Sequence, residues 1–171
     1  MALKHNNETA DILDRIIAAT SGKDDLLDVL KREHRQAASL LDEILDTEEA
    51  AKRSALFKKL RPALLSHLHG EEAVFYPLLK RQGKKVKTDA IEGFVEHHLA
   101  KDLINKLDHI SGKTSAEWTA HCKVLKELVA HHVKEEESTI WKDARKHLGP
   151  SKLEQLVTSY QQAKKKFLSR N

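Results

Sequence analysis

The chain has 171 residues, of which 33% are charged and 40% hydrophobic, with only three prolines and six glycines. That length supports one domain with a substantial core and hardly two, and the abundance of Leu, Ala, Lys and Glu points to an all-α fold. The net charge of +4 arises from 30 basic and 26 acidic residues interspersed along the chain, and one cysteine, Cys122, excludes an internal disulfide.

Apolar residues at helical spacing (Ile12, Leu13, Ile16, Ile17) predict a short amphipathic helix over 8–20, ended by Ser21-Gly22. Asp24 or Asp25 caps the next helix, which runs to about residue 46 with an inward stripe of Leu27, Leu30, His34, Ala37, Leu41 and Ile44. A second bundle helix spans about 49–80. Pro62 is expected to kink or split it near residue 61, and Pro77 to loosen its last turn. Gln82-Gly83 and the lysines that follow read as a loop. A third helix covers about 88–110. Thr114 to Glu117 fits a capping box that opens a fourth, running to about His147 before Leu148-Gly149-Pro150 stops it. Ser151 to Glu154 is a second capping box, opening a final amphipathic helix with Leu153, Leu156, Val157, Tyr160 and Phe167. The predicted organisation is an N-terminal helix in 1–22, an antiparallel up-down four-helix bundle in 23–148, and a C-terminal helix in 149–171 packed on the bundle.

Eleven histidines are present, and their placement is patterned. His67/Glu71 and His132/Glu136 each form His-x-x-x-Glu, which stacks an imidazole and a carboxylate on one helix face about 6 Å apart along the axis. His34 and His97 each sit one helix earlier, preceded by Glu33 and Glu96 and followed at equal offsets by Leu40-Leu41 and Leu103-Ile104. The chain is therefore a weak duplication, each half a helix with one His followed by a helix with His-x-x-x-Glu. Antiparallel pairing of the halves brings six side chains together at mid-bundle.

Periodicity selects between neighbouring histidines. His97 shares its face with Ala90, Phe94, Ala100, Ile104 and Leu107, whereas His98 lies with Val95, Asp102 and Asn105. His132 lies with Leu125, Leu128, Glu136 and Ile140, and His131 with Glu127, Glu135, Ser138 and Lys142. His67 lies with Leu60, Leu64 and Val74. Glu72 and Glu137, next to the inward carboxylates, are expected in solvent. His121 reads as structural, Cys122 as an inert thiol, and Trp118 and Trp141 as core or bundle-edge packing. One inward His is ordinarily a hydrogen-bonded core residue. Four imidazoles and two carboxylates on apolar faces instead imply either a metal or a metal-free buried polar network, since a buried carboxylate is costly unless paired or metal-bound.

The segments LKREHRQAASLLDEI around His34, HLHGEEAVFYPLL from His67, VEHHLAKDLI around His97 and HHVKEEESTIW from His131 resemble the hemerythrin-like, or HHE cation-binding, family over about residues 24–147. The resemblance implies a four-helix bundle holding a non-haem di-iron centre, its two iron ions oxo- or hydroxo-bridged. It implies His34 and His67 on one metal, His97 and His132 on the other, and Glu71 and Glu136 bridging. Manganese or zinc also suits imidazole and carboxylate donors. The chain departs from the oxygen carriers of the family at Lys101, where they have a second His, and at Glu136, where their final motif has an Asp one residue later. The four-His, two-Glu set is closest to the bacterial stress-related branch.

These readings predict a cytoplasmic protein that binds O2, NO or peroxide in sensing, stress response or iron handling. The short basic runs lack interleaved aromatics, so no nucleic-acid partner is expected, and the N-terminal stretch has no apolar run long enough for a membrane span. The alternatives are an oxidoreductase consuming peroxide or NO at the same site, and an interaction module whose stability follows metal occupancy. The sequence names no protein partner.

Overall fold

The computed structural model describes residues 24–170. The helix expected over 8–20 lies outside them. Among the described residues there is no strand. The bundle consists of α1 (Leu26–Asp46), α2 (Ala50–Gly70), a π-helical turn (Glu71–Phe75) continuing into the short α3 (Tyr76–Leu79), α4 (Lys84–His109), α5 (Ala116–Glu135), a second π-helical turn (Glu136–Ile140) continuing into α6 (Trp141–Leu148), and α7 (Pro150–Leu168). α1 packs on α2 and α5, and α4 on α5 and α2, which closes an up-down four-helix square; α7 lies against α2 and α1.

Local chemistry sets the helix ends. Asp25 caps α1, accepting from the backbone N–H groups of Leu27 and Asp28 while the Asp28 carboxylate accepts from the Asp25 N–H. α4 starts at Lys84, four residues before the expected Thr88, because Gly83 ends the turn and the lysines that follow favour helix. The α5 cap is Ser115, whose Oγ accepts from Trp118 N–H. The expected Thr114–Glu117 box does not form, and the Glu117 carboxylate instead lies 3.7 Å from Lys106 Nζ. Gly149, at φ 73°, occupies the left-handed region that glycine tolerates and hands the chain to Pro150 at the first turn of α7, so the Ser151 box is not used either.

Pro62 does not split α2, which continues from Ala50 to Gly70. The proline withdraws one donor from the Lys58 carbonyl, at a turn where Lys58 and Lys59 are exposed and solvent has access to the backbone. The departures from α geometry come instead after Glu71 and Glu136. There Tyr76 N–H donates to the Glu71 carbonyl and Trp141 N–H to the Glu136 carbonyl, five residues back. Pro77 falls in the first turn after the switch, where its missing N–H matters least.

A polar layer divides the core. One apolar cluster joins Leu26, Leu30, Phe75, Leu79, Ala90 and Trp141 with Leu153 and Leu156 of α7. The other joins Leu41, Ile44, Phe57, Leu60, Ile104, Trp118 and Leu125. α1 and α4 contribute to both, α2 and α5 belong to the second and reach the first through the π-helical turns that continue them, and an inward His marks the break on each line. At the far end Arg53, buried, donates to the Thr47 carbonyl (2.5 Å), the Lys113 carbonyl (3.2 Å) and Thr119 Oγ1 (2.8 Å), tying the α1–α2 turn to the α4–α5 loop. Trp118 is core, as expected, and its indole donates to the Leu107 carbonyl. Cys122 is fully buried and burial pushes its thiol up to about 11, which keeps it protonated and unreactive.

Candidate metal centre

The polar layer holds His34, His67, Glu71, His97, His132 and Glu136, all between 0% and 5% exposed. The imidazoles form two pairs. His34 and His67 have ring centroids 5.0 Å apart, and His97 and His132 4.7 Å apart, with their Nε2 atoms separated by 3.1 Å. One oxygen of Glu71, Oε2, lies 3.3 Å from His67 Nε2 and 3.4 Å from His97 Nε2, so this carboxylate stands between the pairs. Glu136 Oε2 lies 3.3 Å from His34 Nε2 and 3.9 Å from His132 Nε2, spanning them from the other side. His34, His67 and Glu71, and likewise Glu71, His97 and His132, bring one donor atom each within 4.8 Å of the others, as one cation requires.

These donors are poorly satisfied without a cation. Both oxygens of Glu71, Glu136 Oε2 and His34 Nε2 are buried and take part in no hydrogen bond. A carboxylate stripped of water and of donors is expensive. Burial raises the Glu71 carboxyl well above the ordinary carboxylate range, and the neighbouring Glu136 charge adds to the shift. Glu136 moves the other way: burial opposes its charge, but the close contact with His34, the charges of His132 and His34 and the Tyr76 hydrogen bond hold it low. His34 is raised to about 9, because contact with Glu136 and the charge of Glu71 overcome its burial, while burial drops His67 to about 4. The donor set, imidazole nitrogens with carboxylate oxygens, fits a borderline transition metal rather than calcium or magnesium.

A pH dependence follows for the apoprotein. Glu71 and His34 hold protons in the folded state that the unfolded chain releases, so folding stability falls as pH rises. For His34 the loss is expected between 6.5 and about 9. Metal binding replaces those protons and is favoured across the same interval. Thermal melts from pH 6.5 to 9 should therefore show a declining Tm for chelator-treated protein and a widening gap to the metal-loaded form. A constant gap contradicts this reading.

A second ring of side chains orients the imidazoles. Each Nδ1 meets a carboxylate: His34 with Glu137 (3.0 Å), His67 with Glu33 (3.0 Å), His97 with Glu72 (3.2 Å) and His132 with Glu96 (2.7 Å). The arrangement repeats in both halves. The Glu before each single His holds the His of the following helix, and the Glu after each inward Glu holds a single His. Such contacts fix ring orientation and turn Nε2 toward the centre. Glu72 and Glu137 are thus not solvated bystanders as expected. Their side chains are 19% and 30% exposed and face the opposite half of the bundle.

The π-helical turns account for this. One extra residue per turn brings position i+5 back beneath i. Tyr76 and Trp141, each five after an inward Glu, both reach the site. Trp141 stacks on His34 at 5.6 Å and 16°, a closer role than edge packing. Tyr76 donates its hydroxyl to Glu136 Oε1 at 2.8 Å, and that hydroxyl oxygen lies 3.4 Å from His97 Nε2 and from His132 Nε2. A 3.6-residue period could not find Tyr76; the Glu-x-x-x-x-aromatic spacing common to both motifs was the available signal. Lys101 lies outside the centre and pairs with Glu72 at 2.6 Å.

α7 reaches the site too, which its own sequence does not announce. Tyr160 donates to Glu33 Oε2 at 2.6 Å and lies 3.1 Å from His67 Nδ1, and Lys164 Nζ, buried, meets Glu33 Oε1 at 2.5 Å. Burial opposes the Glu33 charge, but His67 and Lys164 prevail and its carboxyl stays low. The neighbouring histidines stay outside: His131 is 57% exposed beside Glu96 and Glu135, His98 is exposed beside Asp102, and His121 bonds only the Glu117 carbonyl.

A helical bundle with two such buried His/Glu groups has the donor set of a metal-binding four-helix protein. The family model of the hemerythrin HHE cation binding domain matches residues 6–142, and the chain belongs to that family. A curated relative, named DNA nickase, from Nostoc sp. (strain PCC 7120 / SAG 25.82 / UTEX 2576), is 27% identical over 157 residues, covering 90% of this chain and 44% of the relative. The chain thus spans less than half the length of that protein. No solved structure matches it. Among the described residues no helix is long and apolar enough to cross a membrane.

Proposed function

We infer that this protein is a non-haem di-iron protein that binds O2, NO or peroxide, in sensing, stress response or iron handling. One observation carries the reading: Glu71 offers a single unbonded oxygen to one imidazole of each pair, at 3.3 and 3.4 Å. A carboxylate so placed is shared by two cations that would otherwise repel strongly. His34 and His67 would hold one metal and His97 and His132 the other, with Glu71 and Glu136 available to both. Iron bound there would supply redox chemistry toward a small ligand.

The protein's own groups do the rest. The two apolar clusters flank the layer, and the Nδ1 carboxylates hold four rings in place. Tyr76 keeps a proton on its hydroxyl, since burial raises it well above the ordinary phenol range, and directs that proton at Glu136 Oε1 while its oxygen stands 3.4 Å from His97 and His132. The second reading is an oxidoreductase consuming peroxide or NO, in which this hydroxyl would serve as a hydrogen-bonding group beside the bound ligand. Iron-supplemented purification should give about two metals per chain with absorption of a carboxylate-bridged iron pair; fewer than one iron rejects the reading. Turnover of peroxide or NO by the loaded protein separates enzyme from stoichiometric binder. The strand-cleaving activity in the relative's name is not carried over. All six proposed ligands are at most 5% exposed, too deep for a duplex backbone to reach.

A further inference from the structure

The layer of histidines is also the end wall of a cavity of about 650 Å³. Water occupies about 30 Å³ in the liquid, so the space exceeds the needs of a diatomic molecule or peroxide many times over. It falls within the range of pockets that hold whole organic molecules, about 300–1,000 Å³. The cavity exists because small residues stand on inward faces where a bundle ordinarily places leucine: Ala37 on α1, Ala63 on α2 and Ala100 on α4. Its α2 wall runs from Ala55 to Leu68, roughly 20 Å at the helical rise. The shape is elongated along the bundle axis.

The lining chemistry narrows the occupant. Apart from the four histidines, no aromatic ring lines the cavity among the described residues, and the apolar wall is aliphatic. Lys58 and Lys59 also line it, and both are solvent-exposed, so they mark its rim. Among the described residues neither meets an acidic partner. The remaining charged groups of the wall are already engaged: Lys164 with Glu33, Glu33 with His67, and Glu96 with His132. Lys164 and Leu168 come from α7, beyond the residues that the family model matches.

We propose that this cavity binds an unbranched aliphatic carboxylate, with the carboxylate at Lys58 and Lys59 and the hydrocarbon chain directed toward the histidine layer. The proposal deepens the functional reading, since the chain would end beside the inferred metal pair, but the binding itself rests only on the aliphatic wall and the two rim cations. Apolar burial supplies the affinity and the ammonium groups the choice of headgroup.

The test is calorimetric titration of the full-length, iron-loaded protein with dodecanoate below its micellar range, beside dodecanol and dodecyltrimethylammonium, with iron measured on the same samples. Dodecanoate should saturate at one per chain and bind more tightly than the other two. Ala63→Phe, which fills the cavity, should weaken dodecanoate more than about tenfold. The surface double variant Lys58→Glu with Lys59→Glu should weaken dodecanoate about tenfold while leaving dodecanol unchanged and iron content at the parental level. It decides the matter alone if Ala63→Phe does not fold. Absence of saturable binding, equal affinity for the alkylammonium, or a charge-reversed variant that binds dodecanoate as before each overturns the proposal. Saturable binding to protein that retains no iron would overturn the di-iron reading and leave this one standing.

Discussion

His132→Ala should strip metal from the protein while His131→Ala should leave metal content at the parental level. The two residues are adjacent in sequence, yet one is 5% exposed in the polar layer and the other faces solvent with a 57% exposed side chain. Removing His132 deletes an Nε2 donor 3.1 Å from that of His97 and also takes from Glu96 the imidazole that its carboxylate meets at 2.7 Å. Loss of an outer partner of a metal ligand ordinarily costs about 10–100-fold in affinity, so loss of the ligand should exceed about 100-fold. His131→Ala removes only contacts of 3.4 and 3.5 Å to Glu96 and Glu135 at the surface, where such pairs contribute little. Metal analysis after competition with a chelator reads both variants. Equal loss in the two would refute the assignment of faces.

Gly70→Ala should destabilise the protein, although the same change within a helix normally stabilises it by about 1 kcal/mol. A Cβ at this position would stand 2.4 Å from Cε2 and 2.8 Å from Cδ2 of Tyr160. The ring is fully buried and cannot swing aside, and overpacking of this kind typically costs about 1–3 kcal/mol. The consequence extends to the centre, because Tyr160 holds Glu33 and Glu33 holds His67. A Tm lowered by several degrees together with weakened metal retention is the expected result. Gly83→Ala, where nothing lies within 4 Å, serves as the control: it loses only a helix-capping preference, so metal retention should stay at the parental level and Tm should fall less than for Gly70→Ala. An unchanged or raised Tm for Gly70→Ala would mean that α7 does not dock as described. Gly93 stands in the same relation to the Tyr76 hydroxyl, at 2.7 Å, so both site tyrosines depend on a glycine for their seat.

Much of the candidate centre was legible in the sequence. The inward faces of His34, His67, His97 and His132 followed from the 3.6-residue period, since each helix must bury its apolar stripe and the histidines lie within it. The fold class followed for the same reason. The reading lost register where the helix changed its period. It placed Val74 on the inward stripe, but from the end of the π-helical turn onward Phe75, Tyr76 and Leu79 are the fully buried residues. The caps at Thr114 and Ser151 failed because the chemistry of a capping box is met by many sequences that never start a helix there.

The sequence by itself determined the rods, their apolar faces and the six inward donors, because all of these depend on neighbours a few residues away along one helix. Only the tertiary structure decided that Glu33, Glu72, Glu96 and Glu137 hold the imidazoles, that Tyr76 and Trp141 reach the layer, and that α7 brings Tyr160 and Lys164 to Glu33. Those contacts join residues 21 to 131 positions apart. They depend on how far each helix slides and turns against the next, and no pattern local to a single helix encodes that.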